Sequence, residues 1–249
     1  MSGEQQSRSP GKQYLDFGYG SHVGLRRELN EDSSVVTDSL FAVADGMGGH
    51  EAGEVASALA VQALAEGWNA AKGPISREQI QACLDDADET IREATGAKAG
   101  TTLTGAVLVE ADDQLKWLVF NIGDSRTYLH HEGELRQLTR DHSQVQEMYE
   151  SGMISADELR DHPNRNVITR ALGAGSLDSG DFTTMPVQTG QRLLMCSDGL
   201  TGELTDAEIS KILGAGRSPQ DTVDWLIHQA LRAGGRDNVT VIVVDVREG

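Results

Sequence analysis

Four aspartates stand at the same kind of place in this chain. Asp45, Asp124, Asp198 and Asp237 each lie where an apolar, strand-like run borders a glycine-containing turn: FAVADG (residues 41–46), FNIGDS (120–125), LLMCSDG (193–199) and GGRDNVTVIVV (234–244). A carboxylate there is held by rigid backbone, while nearby glycines let carbonyls and amides approach whatever it binds. For one Asp-Gly pair a hairpin turn explains the sequence equally well. Four aspartates, each beside a strand end, favour a shared carboxylate cluster. Oxygen ligands without Cys or His pairs at ligand spacing select hard cations, Mg²⁺ or Mn²⁺, over zinc. Two such ions bridged by a carboxylate lie about 3.5–4 Å apart, and a water shared between them becomes hydroxide near neutral pH, able to attack phosphorus in line. Phosphoester hydrolysis follows as a reaction class, with a cation still needed to grip the phosphate.

The elements that must position these residues can be read from periodicity. Residues 13–23 have strand character, but GYGSHV does not complete a dinucleotide fingerprint, because Val23 stands where the third glycine belongs. The charged segment RRELNEDS leads into two strands that turn near Asp38 and Ser39, the second ending at Asp45. Residues 51–68 read as an Ala-rich helix, broken at Gly73-Pro74. A second helix opens at Ser76 with Gln79 three residues on, a capping-box pair. Residues 100–140 then read as an antiparallel meander, TTLTGAVLVE, QLKWLVFNIG, RTYLHH and LRQLT. The polar stretch 141–175, with a Ser155/Glu158 capping pair, is an excursion of the kind that borders a site. Sheet character returns at Phe182, Thr205/Glu208 and Ser218-Pro219 open two further helices, and VTVIVVDV closes the pattern. Strands, two helices, strands, two helices and a last strand predict an α+β fold, two mainly antiparallel sheets packed face to face with helix pairs outside, an α-β-β-α sandwich. Residues 13–249 form one domain, preceded by a polar, flexible arm over 1–12.

Composition sets outer limits. Hydrophobic residues make up 38% of the 249, enough for a sizeable core, and aromatics only 4%, so packing relies on close approach of backbones. A net charge of −18 argues against nucleic acid and anionic membranes as partners. Cys83 and Cys196 make neither a disulfide framework nor a zinc pattern, which fits a reduced, cytoplasmic setting. No run of 18 apolar residues is present, so no membrane span is expected. Cys83 falls on the apolar stripe of its helix and Cys196 within its strand, both as core. Neither has an arginine six residues on, which excludes a cysteine-phosphatase loop. Asp86 and Asp88 mimic another phosphatase motif but sit inside an amphipathic helix. His130, His131, His142, His162 and His228 lack ligand spacing and read as surface or packing residues.

Six motifs in order, RELNED (27–32), DGMGGH (45–50), GTT (100–102), GDSR (123–126), SDGL (197–200) and GRDN (235–238), resemble those of the metal-dependent protein phosphatases of the protein phosphatase 2C type, in their compact bacterial form. The resemblance runs from about Gln13 to Val246. It implies a β-sandwich flanked by helix pairs and two Mn²⁺ or Mg²⁺ ions at one end. Asp45 would bridge the ions, Gly46 would give its carbonyl, Asp198 and Asp237 would complete one shell, and Glu31 and Asp32 would act near the other ion. Asp124 matches the aspartate that helps hold a third, weaker ion. Arg27 matches the residue that grips phosphate, whose forked guanidinium suits two phosphate oxygens. Where eukaryotic relatives place a histidine directly after Asp-Gly, this chain has Met47. His50 is then the candidate acid for the leaving alkoxide, a surface histidine at a helix start being the equal alternative. The implied activity is hydrolysis of phosphoserine and phosphothreonine in proteins by a metal-bridging hydroxide, opposing a cognate Ser/Thr kinase, in a monomer. The stretch 141–175 resembles the family's flap, where Arg165 and Arg170 either attract a phosphopeptide or are ordinary solvated arginines. A catalytically silent binding domain, or a hydrolase of nucleotides and small phosphates, would carry the same residues.

Overall fold

The computed structural model describes residues 13–48, 52–71, 75–111, 114–159, 162–174 and 179–249. In chain order the elements are β1 (Gln13–His22), β2 (Asp32–Val36), β3 (Leu40–Gly48), α1 (Ala52–Ala70), α2 (Arg77–Thr95), β4 (Ala99–Thr101), β5 (Leu103–Ala111), β6 (Gln114–Ile122), β7 (Arg126–His131), β8 (Glu134–Gln137), α3 (Gln144–Glu150), α4 (Ala156–Leu159), β9 (Asp181–Pro186), β10 (Arg192–Cys196), α5 (Asp198–Thr201), α6 (Asp206–Leu213), α7 (Pro219–Ala233) and β11 (Val239–Glu248). One sheet has the order β1-β11-β10-β7-β8, the other β2-β3-β5-β6-β9 with β4 paired to the end of β3, and every pairing is antiparallel.

Alternation along the strands sorts the apolar residues into three layers. From β3, Phe41 and Val43 point between the sheets and meet Trp117, Leu193, Ile242 and Val244. Leu40, Ala42 and Ala44 point the other way, against Ala56, Ala60 and Leu64 of α1 and Ile80 and Leu84 of α2. On the opposite sheet, Leu194, Cys196, Val241 and Val243 face Ile209 of α6 and Val223 and Leu226 of α7. The alanines where α1 crosses β3 let helix and strand backbones approach, which is how a chain poor in aromatics fills its core. The expected α-β-β-α sandwich is therefore the observed one. The reciprocal capping boxes of α2 (Ser76, Gln79) and α6 (Thr205, Glu208) are present, and Pro219 is the first residue of α7. At α4 only half of the pair forms, with Glu158 accepting from the Ser155 N–H and hydroxyl.

Two expectations are corrected. Strand β3 does not stop at Asp45 but runs on to Gly48, because Gly46, Met47 and Gly48 pair with Thr101, Gly100 and Ala99 of β4. The region 100–140 is not one meander, since β5 and β6 belong to one sheet and β7 and β8 to the other. The chain crosses between sheets at Gly123-Asp124-Ser125, with Gly123 at φ +99°, a conformation that side chains rarely adopt. The arm over 1–12, the Gly73-Pro74 break and His50 lie outside the described residues. Residues of 141–175 form α3 and α4 and are stitched to the body by the bridges Ser143↔Ile168 and Thr101↔Leu172. Among the described residues no helix is long and apolar enough to cross a membrane.

Candidate active site

Each sheet delivers carboxylates to one end of the sandwich. Asp45 in β3 lies directly across from Asp32, the first residue of β2. From the other sheet, Asp198 opens α5 just after β10, and Asp237 sits just before β11. Asp124 stands at the crossing between sheets. The carboxyl groups of Asp45 and Asp198 are within hydrogen-bonding reach of each other, and the charges of Asp32, Asp124 and Asp237 also bear on Asp45.

The backbone around Asp45 is fixed by the GTT motif. Thr102 Oγ1 accepts from the Asp45 N–H (3.1 Å), the Thr102 N–H donates to the Asp45 carbonyl (3.0 Å), and Thr101 Oγ1 donates to that same carbonyl (2.9 Å). Thr102 Oγ1 also shares a hydrogen bond with Ser125 Oγ (2.7 Å), linking β3 to the sheet crossing that carries Asp124. Gly46 donates its N–H to the Glu31 carbonyl (3.1 Å), and its Cα presses on the backbones of Gly53 and Glu31, so that any Cβ there would collide. Glu31 in turn reaches the Gly53 backbone at the start of α1.

Burial dominates the electrostatics. It raises the pKa of Asp32 to about 7, offset in part by the nearby Thr240 and Ser197 hydroxyls, with Asp198 and Asp237 adding to the rise. Asp124 is pushed up to about 8 by burial and then by the charges of Asp198 and Asp141. Asp198 is raised to about 6 by burial and Asp237, and Asp45 well above the carboxylate range by burial and Asp32. Such a set costs free energy when ionised, and a divalent cation is what relieves it. Asp32 Oδ2 accepts from Ser197 Oγ (2.8 Å), while its Oδ1 is buried with no hydrogen-bond partner among the described residues. An orphaned carboxylate oxygen within an all-oxygen donor set fits Mn²⁺ or Mg²⁺. Among the described residues no three or more Asp, Glu, His or Cys side chains are placed so that they alone could hold a metal ion.

Arg27 is the candidate cation beside the cluster. Its Nη2 lies 2.7 Å from Asp237 Oδ2, and the side chain is half exposed, so the guanidinium keeps donors available to a ligand. Asp124 and Asp198 border a cavity of about 650 Å³ between residues of the 141–175 excursion and α5–α6, lined also by Arg126, Asp141, Arg165 and Asp206. Arg126 is forked onto Asp141 (3.0 and 2.7 Å) and bonded to the Tyr128 hydroxyl (2.9 Å), so Arg165 is the cation there that the fold does not spend on Asp141. Arg170 is paired with Asp181 (3.1 Å). Cys196 is fully buried with its thiol pushed up to about 12, and half-buried Cys83 packs in the helix layer, so both are core as expected.

Several residues that the sequence reading did not place in the site hold it together. The Asn238 carboxamide accepts from the Glu31 N–H (2.8 Å) and donates to the carbonyls of Val23 and Leu29 (2.9 Å each), locking the segment that bears Arg27 and Glu31 onto β11. His142, buried, accepts the Gly123 N–H at Nδ1 (3.0 Å) and faces Asp181 through Nε2 (3.1 Å). Ser197 and Glu203 act nearby. Asn238 and Ser197 lay within the quoted motifs, whereas nothing in the sequence marked His142 or Glu203.

Known proteins resemble this chain across most of its length. The family model described as Protein phosphatase 2C matches residues 26–231. The serine/threonine phosphatase stp of Listeria innocua is 36% identical over 236 residues, which span 89% of this chain and 92% of that one. The crystal structure of the Mycobacterium tuberculosis serine/threonine phosphatase PstP/Ppp superposes with a TM-score of 0.86 at 36% identity, covering 94% of this chain and 99% of that one. A structure of the PstP catalytic domain in complex with two manganese ions gives a TM-score of 0.85 at 35% identity over 95% and 100% of the two chains. Aspartates delivered by both sheets, an exposed arginine beside them and a family match across most of the length lead to one assignment: this chain belongs to the protein phosphatase 2C family.

Proposed function

We propose that this protein is a Mn²⁺- or Mg²⁺-dependent phosphatase of phosphoserine and phosphothreonine in proteins, opposing a Ser/Thr kinase. The observation that carries the reading is the meeting of Asp45 from one sheet with Asp198 and Asp237 from the other, next to the half-exposed Arg27. In this reading Asp45, the Gly46 carbonyl, Asp198 and Asp237 hold the ions, with Glu31 and Asp32 beside them and Asp124 at a third, weaker position. When bound, the ions neutralise charge on the phosphoryl group and activate water as the nucleophile. Arg27 swings from Asp237 to two phosphate oxygens and fixes the phosphorus for in-line attack. Water displaces the serine or threonine oxygen with no phosphoenzyme, and the departing alkoxide takes a proton, for which His50 is the candidate donor. The cavity beside Asp124 and Asp198 receives the peptide that carries the phosphate.

The test is hydrolysis of an aryl phosphate and of phosphothreonine peptides with Mn²⁺, Mg²⁺ or excess chelator. Hydrolysis with either ion that stops in chelator is expected, and turnover surviving excess chelator would sink the proposal. Faster turnover of free nucleotides than of phosphopeptides would keep the chemistry and reassign the substrate.

A further inference from the structure

Asp198 and Asp237 come from different elements, and what sets their separation lies behind them. Glu203 follows α5 by two residues, while Arg236 immediately precedes Asp237. The buried Glu203 carboxylate accepts from the Arg236 backbone N–H (2.9 Å) and from its guanidinium, Nε to Oε1 (3.0 Å) and Nη2 to Oε2 (2.9 Å). The guanidinium is otherwise largely open to solvent, and its side chain is 64% exposed against 3% for Glu203. The turn is tied on two further sides. The Gly234 and Gly235 N–H groups both donate to the Ala230 carbonyl, and the Gly235 carbonyl accepts from the Leu25 N–H (2.6 Å), two residues before Arg27. On the near side, Gly199 of α5 packs against the Asn238 carbonyl.

A surface Arg–Glu pair is ordinarily worth little. Here the carboxylate is buried, so losing the guanidinium leaves a desolvated charge, and the cheapest response is for the turn to swing out toward water. We infer that Glu203 and Arg236 are positioning residues that set the placement of Asp237 relative to Asp198, and with it the affinity of the site for its divalent ion. Partners behind metal-ligating side chains commonly tune affinity by about 10–100-fold. The inference rests on the metal-dependent reading above.

The charge of Arg236 makes the test discriminating. Acting only through long-range electrostatics, Arg236→Ala removes a positive charge near the site and tightens Mn²⁺ binding, and Arg236→Lys changes nothing. Acting through position, both weaken it, because lysine cannot reproduce the fork. Mn²⁺ titration by calorimetry on the chelator-stripped protein, below the melting temperature of every variant, is expected to give about tenfold weaker binding for Arg236→Ala and a several-fold loss for Arg236→Lys. Affinities equal to or tighter than wild type in Arg236→Lys overturn the inference, also when Arg236→Ala fails to fold. Wild type that takes up no Mn²⁺ overturns the phosphatase reading instead, so the two failures are told apart.

Discussion

Asp32 and Asp45 face each other directly across the antiparallel pair β2–β3. Like charges opposite one another on adjacent strands disfavour the pairing, and here burial sharpens the penalty. The fold sets this repulsion against stability, and a divalent ion held at the proposed site would relieve it.

Asp45→Asn removes the repulsion together with the proposed bridging ligand. In chelator at pH 8 it is expected to melt above wild type by about 1–4 °C, the equivalent of a few tenths to about 1 kcal/mol. Adding Mn²⁺ should raise the melting temperature of wild type and leave that of the variant in place, with hydrolysis lost. A variant that melts lower in chelator contradicts this account.

The pH dependence has a definite sign. Asp198, Asp32 and Asp124 keep their protons in the folded chain up to about pH 6, 7 and 8, whereas in the unfolded chain they release them near pH 4. Between pH 4 and 8 the folded state therefore binds more protons, and the stability of the metal-free protein falls as pH rises. Glu150, lowered to about 2 chiefly by its hydrogen bond from Arg140, has the opposite slope, but only below about pH 4.5. Mn²⁺ binds the ionised carboxylates, so its stabilisation should be larger at pH 8 than at pH 5.5. Melting curves at both values, with and without the ion, check this.

Arg27→Ala separates phosphate binding from metal binding. Hydrogen bonds to a charged group contribute about 1.5–3 kcal/mol, so kcat/KM for a phosphopeptide is expected to fall by about 10–150-fold. Mn²⁺ affinity, read by calorimetry, should hold or tighten, because Asp237 loses a competing cation. Weaker ion binding in this variant would assign Arg27 to the metal shell.

His142→Ala leaves the buried Gly123 N–H without its acceptor, a loss of about 1–3 kcal/mol. Chemical denaturation should register that loss. Glutamine, which offers a side-chain acceptor, should recover part of it, and equal losses in both would show that ring packing matters more than the hydrogen bond.

What could be read in the sequence was local. Asp45, Asp124, Asp198 and Asp237 announce themselves because a strand end and its glycines are neighbours in the chain, and Ser76/Gln79 and Thr205/Glu208 because a capping box spans four residues. Alternation marks β6 and β7 as strands, but no period states that they belong to different sheets, which is decided by the backbone turn at Gly123. The overrun of β3 needed β4 as a partner, some fifty positions away in the pairing of Gly46 with Thr101. Asn238 reaching Leu29 and Arg236 reaching Glu203 join segments far apart in sequence, and such contacts leave no spacing to recognise.

Strand β11 lies between β1 and β10, and the turn ahead of it carries Asp237 and Asn238. During synthesis β1 emerges early and stays without its neighbour until residues 239–248 have been made. Until then the segment bearing Arg27 and Glu31 lacks its ties to the Asn238 carboxamide, and nothing joins β1 to β10. Asp237 and its ion-pair partner Arg27 are thus made about two hundred residues apart, and the proposed site cannot assemble before the turn ahead of β11 has been synthesised.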